Sequence, residues 1–282
     1  MDGFCSFGRG VLGMALALAA PLGSLHAQEA ASVDFSNSAE LTLVLTAGNA
    51  SSSTLGFKNT AELVRGKQGF KLSLGAVRTE SGITTRTASG TPENFTVSET
   101  TESEITAENY FVKGRFDQAL SDAAVFFTGA EWDRNTFAGI QNRYGFIGGA
   151  GRKWYEEETR HFKTDAGVTY TIQKDVVEVP DTDDSSLGLR ATLDLLHPLT
   201  ETAAFTSLLA VDQNLETTKD LRADWTNALT VAMSERLALK TSLQLLFDNE
   251  PALASVPLGD GEVLTPLGKT DTVFTVAIVA NF

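Results

Sequence analysis

The residues best suited to chemistry are few. The chain has three histidines, His26, His161 and His197. A lipase, deacylase or protease commonly needs such a residue as general base or as partner to a nucleophile. His26 falls within an apolar leader. His161 and His197 fall beside turns at the ends of predicted strands, where an imidazole is usually solvated or bound to backbone. The sequence therefore predicts no enzyme. The run Gly145-Phe146-Ile147-Gly148-Gly149-Ala150-Gly151-Arg152-Lys153 has the look of a phosphate loop. It lacks the Gly-Lys-Ser/Thr ending and lies inside a strand pattern, where glycine eases curvature or crowding. Asp181, Asp183 and Asp184 lack the glycine and distal glutamate of a calcium loop, so a solvated acidic loop is expected. Asp133 and Arg134 are expected to pair at a rim, contributing about 0–1 kcal/mol. No cofactor motif and no metal set emerge.

A second set of charged residues has a common spacing. Glu40, Lys58, Glu62, Lys71, Lys163, Asp165, Arg190, Asp194, Arg222, Asp224 and Lys240 each sit on the polar face of a segment whose other face is apolar. Side chains two apart on a strand share a face. If the apolar faces meet lipid, these charges must line an interior, because an Arg or Lys at the bilayer midplane costs about 2–4 kcal/mol. Two outcomes follow: a narrow passage for ions or small solutes, or an interior in which the charges satisfy one another. Glu40, Glu62 and Lys71 are expected to lie together near one end.

About twelve alternating segments of about ten residues supply those faces, the length a tilted membrane strand needs. They are 38–47, 54–65, 70–79, one within 103–116, one within 123–132, 143–154, 161–171, 186–197, 203–211, 221–231, 237–247 and 272–282. The eighth is among the clearest, with Leu187, Leu189, Ala191, Leu193 and Leu195 opposing Gly188, Arg190, Thr192 and Asp194. The consecutive Val125, Phe126 and Phe127 predict a bulge or a strand apolar on both faces. Connections alternate between short (65–69, 117–122, 155–160, 198–202, 232–236) and long (80–102, 133–142, 173–185, 212–220, 248–271). The compact 48–53 takes a long-side slot. Short periplasmic turns and longer outer loops are the rule in outer-membrane barrels, and an even strand number puts both termini on the periplasmic side.

The last strand carries Phe274, Val276, Ile278, Ala280 and Phe282 on one face. Such an ending, with a terminal aromatic at the interface, suits a closing membrane strand, and Phe282 is the candidate assembly signal. Trp132, Tyr144 and Tyr170 form one expected aromatic belt and Phe70, Trp154, Tyr155 and Phe282 the other. A soluble β-sandwich has the same alternation but accounts for neither the terminal aromatic nor the loop pattern.

Composition agrees. Residues 11–22 are apolar, Arg9 precedes them, and Leu25-His26-Ala27 suits cleavage after a small residue, so 1–27 reads as a secretory signal peptide. The single cysteine, Cys5, would leave with it, which excludes disulfides and thiolate metal sites from the mature chain. Mean hydropathy is −0.04, and no apolar run past the leader is long enough for a membrane helix. Twenty-two basic against thirty-six acidic residues give a net charge of −14, which argues against nucleic-acid binding.

The stretch Ala39-Glu40-Leu41-Thr42-Leu43-Val44-Leu45-Thr46-Ala47-Gly48-Asn49 resembles the opening of the YdiY-like family of salt-induced outer-membrane proteins. The block Glu131-Trp132-Asp133-Arg134-Asn135-Thr136-Phe137-Ala138-Gly139-Ile140, continuing into Arg143-Tyr144 and Gly148-Gly149-Ala150-Gly151, is similar to that family's central motif. The resemblance implies the compartment and the fold and supplies no mechanism. The sequence thus predicts an all-β transmembrane up-and-down antiparallel barrel over 38–282, preceded by a short periplasmic segment at 28–37. Its expected surroundings are outer-membrane lipid and, during insertion, the barrel-assembly machinery. Small solutes or ions are its candidate ligands, and a monomer is expected.

Overall fold

The computed structural model describes residues 33–46, 51–91, 94–157, 159–177, 184–258 and 261–282. The expected leader, Asp181 and Asp183 lie outside the described residues. The strands are β1 (Val33–Thr46), β2 (Ser51–Arg65), β3 (Gln68–Thr91), β4 (Asn94–Ala119), β5 (Ala124–Asn135), β6 (Ile140–Glu156), β7 (His161–Asp175), β8 (Ser185–Pro198), β9 (Ala203–Asn214), β10 (Leu221–Ala232), β11 (Leu237–Asp248), β12 (Leu253–Leu258), β13 (Gly261–Pro266) and β14 (Thr270–Asn281). Twelve of them, all but β12 and β13, form one closed antiparallel barrel, each beside its sequence neighbour and β14 beside β1. Closure gives every barrel strand two neighbours, as a sheet surrounded by lipid requires, although β1 and β14 pair only over Ser38–Leu41 against Ile278–Asn281.

Alternation sets the two faces. Leu41, Leu43, Leu55, Phe57, Leu187, Leu189, Leu239, Leu243, Phe274, Val276 and Ile278 are exposed on the outside of the cylinder. The few buried apolar residues of the barrel strands, among them Val125, Phe127, Ala228, Ala238, Ala277 and Val279, point inward. The molecule thus carries its largest apolar surface outside, the reverse of a water-soluble domain and the arrangement acyl chains stabilise.

Both ends of the barrel chain lie at one rim, here the terminal rim. Its turns are short: Gly66-Lys67 between β2 and β3, then 120–123, 157–160, 199–202 and 233–236. Gly66 adopts a positive φ of 58°, which a two-residue hairpin turn needs. The longer connections lie at the opposite, loop rim, as the pattern predicts.

Several expectations need correction. Residues 33–37, assigned to the N-terminal segment, belong to β1, where Val33 pairs with Arg65 and Phe35 with Leu63. The connection expected over 80–102 is instead a β-ribbon: β3 and β4 stay paired to Thr91 and Asn94, past Gly82, where pairing with β2 ends. Its threonines and valine favour extended backbone even without a core to cover. The 248–271 connection likewise contains the β12–β13 hairpin. For Val125, Phe126 and Phe127, the second of the two expected alternatives holds, a strand apolar on both faces without a bulge. They pair in unbroken register with Ala119, Gln118 and Asp117, so Phe126 faces out while Val125 and Phe127 face in. The irregularities fall instead at Thr79/Glu80, Asp133/Asn135, Ile140/Asn142 and Lys153/Tyr155.

Tyr144, Tyr170, Phe70, Trp154, Tyr155 and Phe282 are exposed on the outside, in the two expected belts. Trp225, also exposed, is an addition to the loop-side belt. Each indole finds a cross-strand acceptor: Trp132 donates to Asn142 Oδ1 (3.2 Å), Trp154 to Thr164 Oγ1 (2.9 Å) and Trp225 to Ser207 Oγ (3.0 Å).

Candidate functional site

Ion pairs between strands that are not neighbours must pass through the interior, and three such links define the lumen. Lys240 on β11 donates to Glu40 on β1 at 2.8 Å, past β14. Arg115 on β4 binds Asp165 on β7 at 2.6 Å, past β5 and β6. Arg190 on β8 binds Glu131 on β5 with Nη2 at 2.8 Å and Nη1 at 3.1 Å, past β6 and β7. By register and alternation, all eleven lumen candidates face inward.

The crossings are made possible by inward glycines. A Cβ at Gly145 would fall 2.7 Å from Glu131 Cγ, and one at Gly151 would fall 2.0 Å from Asp165 Oδ1. Both carboxylates therefore lie over glycine backbone on their way to an arginine. Gly149 plays a different part: its Cβ would strike the Ala166 carbonyl oxygen at 2.2 Å and Gly167 Cα at 2.6 Å. There β6 and β7 approach too closely for any side chain. The phosphate-loop lookalike is thus a strand interior shaped by curvature.

The charges fall into groups. At the loop side, Arg190 also donates to Asp212 at 2.7 Å, and Arg143 to Asp133 at 3.0 Å. Arg222 reaches Gln173 (3.3 Å) and lies 3.3 Å from Asp220, though its Nε is misaligned for a hydrogen bond. Asp224 accepts two bonds of 2.9 Å from Gln244 Nε2. Toward the terminal rim, Arg115 also binds Asp117 at 2.7 Å and stacks 4.1 Å from the Phe127 ring. Lys163 binds Glu156 at 2.6 Å, and His161 meets Asp194 at 3.1 Å.

Two expected groupings do not form. Lys71 pairs with Glu62 at 2.6 Å, but Glu40 lies across from Lys58 and binds Lys240 instead. Asp133 and Arg134 do not pair, because consecutive strand residues point to opposite faces. Asp133 binds Arg143 inside, and Arg134 lies 3.5 Å from Glu108 outside. Lys113, Arg115, Glu131, Arg143 and Asp212 are lumen residues that the spacing did not reveal. The first three lie in the two strands whose alternation is interrupted by apolar inward residues, and Asp212 lies past the expected end of β9.

The loop rim holds a further feature. Gly139, at a positive φ of 78° after the Thr136–Ala138 3-10 turn, contacts Ala252 and Leu267. Gly139 belongs to the β5–β6 connection and the other two to the β11–β14 connection. Six strands separate these connections around the ring in either direction. Two connections rooted at opposite points of a ring and touching each other span its opening between them. The bridge is anchored by Leu267 N–H to the Ala252 carbonyl (3.0 Å), Asn249 N–H to the Leu221 carbonyl (3.0 Å) and Lys269 Nζ to Asn249 Oδ1 (2.9 Å).

Residues 39–282 match the profile described as "Protein of unknown function, DUF481". The chain belongs to the DUF481 family. The YdiY-like proteins, to which its opening and central blocks are similar, are this family. In this DUF481 barrel the central block forms the end of β5, the 3-10 turn and the start of β6. Asn135 Oδ1 caps the turn by accepting from Ala138 N–H at 3.1 Å, and Gly139 is the seat of the bridge. No curated protein matches the chain. Among solved structures it is similar to the NanC porin (9% identity, TM-score 0.43, covering 88% of this chain and 98% of that one). It is also similar to the anion-selective porin from Comamonas acidovorans (12%, 0.37, 89% and 100%). A third likeness is to the translocator domain of autotransporter NalP from Neisseria meningitidis (11%, 0.38, 91% and 89%). At these scores the likeness carries nothing about activity.

Proposed function

We propose that this DUF481 member is an integral outer-membrane barrel that gives narrow, passive passage to ions or small solutes. In this reading residues 1–27 are a cleaved signal peptide, both termini and the short turns are periplasmic, and the longer connections face outward. Insertion proceeds through the barrel-assembly machinery, and the unit is a monomer. The observation that carries the reading is an interior that is charged and in part accessible. Inward-facing Lys113, six residues in from the rim end of β4, leaves 51% of its side chain accessible, more than a tightly filled cylinder would allow. Single-channel recording in planar bilayers tests it. Small, steady conductance steps from pure protein are expected, and their absence would end the permeation reading.

The bridge between Gly139 and Ala252 favours a second reading, a non-conducting envelope component whose mouth is closed by its own connections. Normal envelope integrity and osmotic tolerance in a deletion strain would remove that alternative.

A further inference from the structure

The lumen pairs its charges unevenly. Glu40 lies 2.8 Å from Lys240 but 3.7 Å from Lys58. Glu131 is held by Arg190 at 2.8 Å but lies 3.9 Å from Lys113. Among the described residues these are the only carboxylates within 4 Å of either lysine. Each is committed to a nearer cation and is itself covered, with 17% and 18% of its side chain accessible. The two lysines, in contrast, stand open to the lumen at 42% and 51%. They are cations in excess of their local counter-charge.

They also face a common space. Lys58 lies across from Gly75 on β3, and Lys113 across from Ser73 on the same strand. Two strand spacings and a two-residue offset, about 12 Å together, separate their backbones, within reach of two long flexible side chains. Ser73 leaves room beside them, whereas the Phe111 ring covers Gly75 and lies 5.8 Å from Lys113 Nζ; Lys58 feels Glu40 first and then the like charges of Lys240, Lys71 and Lys113. Ammonium groups gathered without matching carboxylates are stabilised by a diffusing anion, the more so where the walls exclude part of the water.

We propose that Lys58 and Lys113, flanking Ser73, form an anion-binding station on the β2–β4 wall. Its ligands are small solutes bearing carboxylate or phosphate, and it makes the lumen prefer anions although the chain as a whole carries −14. The physiological meaning rests on the permeation reading, whereas binding itself does not.

Two measurements separate the two claims. Citrate is titrated into the detergent-refolded full chain by calorimetry, for wild type, Lys58→Gln/Lys113→Gln and the turn control Lys67→Gln. Saturable binding is expected for wild type and Lys67→Gln, and binding weaker by about tenfold or more for the double variant. The double variant should fold, because the two ion pairs it removes are long and therefore weak. Reversal potentials across a KCl gradient are then read in bilayers, where wild type should prefer chloride and Lys58→Glu/Lys113→Glu should prefer potassium. Citrate binding that ignores both lysines, or does not occur, overturns the station. A silent bilayer with lysine-dependent citrate binding sinks the permeation reading and leaves the station standing.

Discussion

Phe282 and Asn37 clasp the barrel seam: the Phe282 N–H donates to the Asn37 carbonyl at 2.8 Å, and the Asn37 N–H donates to the Phe282 carbonyl at 3.1 Å. The seam is otherwise short. β1 and β14 pair over four positions, Ser38–Leu41 against Ile278–Asn281, while β14 pairs with β11 over eleven. The last residue is therefore a structural part of closure, with its ring exposed on the outside at the terminal rim.

Deleting Phe282 removes both backbone bonds, at a cost of about 1–3 kcal/mol, together with an interfacial aromatic. The heat-modifiable, folded form in outer-membrane fractions should fall well below the wild-type level. Phe282→Tyr, which keeps the bonds and the ring, should restore it. Full wild-type folding of the deletion would contradict the clasp.

Neighbouring glycines should differ sharply. Gly149→Ala drives a Cβ into β7 backbone, which has no rotamer with which to yield, and overpacking of this kind costs about 1–3 kcal/mol. Gly148 faces outward with nothing within 4 Å of its Cβ position, so Gly148→Ala should be neutral. Gly151→Ala meets the end of the Asp165 side chain and Val125 Cγ1 at 3.0 Å, side-chain atoms that can turn away, the former at the expense of its bond to Arg115. Urea unfolding in detergent should rank them 149 above 151 above 148.

The bridge over the mouth makes a prediction about flow. Replacing residues 252–267 by a short Gly/Ser turn removes Ala252 and Leu267 from Gly139 and should raise single-channel conductance. Gly139→Leu should act the same way by unseating the bridge, with an added cost for a side chain at positive φ. Unchanged conductance in a channel that does conduct would show that the bridge does not obstruct.

The barrel was legible because its signal is repeated: the period-two pattern of β8 and β11 and the alternation of loop lengths each specify an even, closed sheet. What the sequence concealed depends on three-dimensional shear. Arg190 and Glu131 stand three strands apart, and only strand tilt and the bare backbone at Gly145 bring them together, which no local spacing encodes. The β3–β4 ribbon was missed because its polar residues have no buried face to reveal a period. Asp133 and Arg134 were misjudged as partners because sequence adjacency is opposition on a strand.

Every function of the barrel depends on the direction of its side chains, apolar outward and ionic inward. Single cysteines at Lys58, Lys113, Leu189 and Ile278, in the chain lacking Cys5 and reconstituted in liposomes, test it most directly. A small charged, membrane-impermeant thiol reagent should label the cysteines at 58 and 113, and a lipid-soluble maleimide alone should label those at 189 and 278. Labelling of 189 and 278 by the charged reagent, with 58 and 113 protected, would contradict the account.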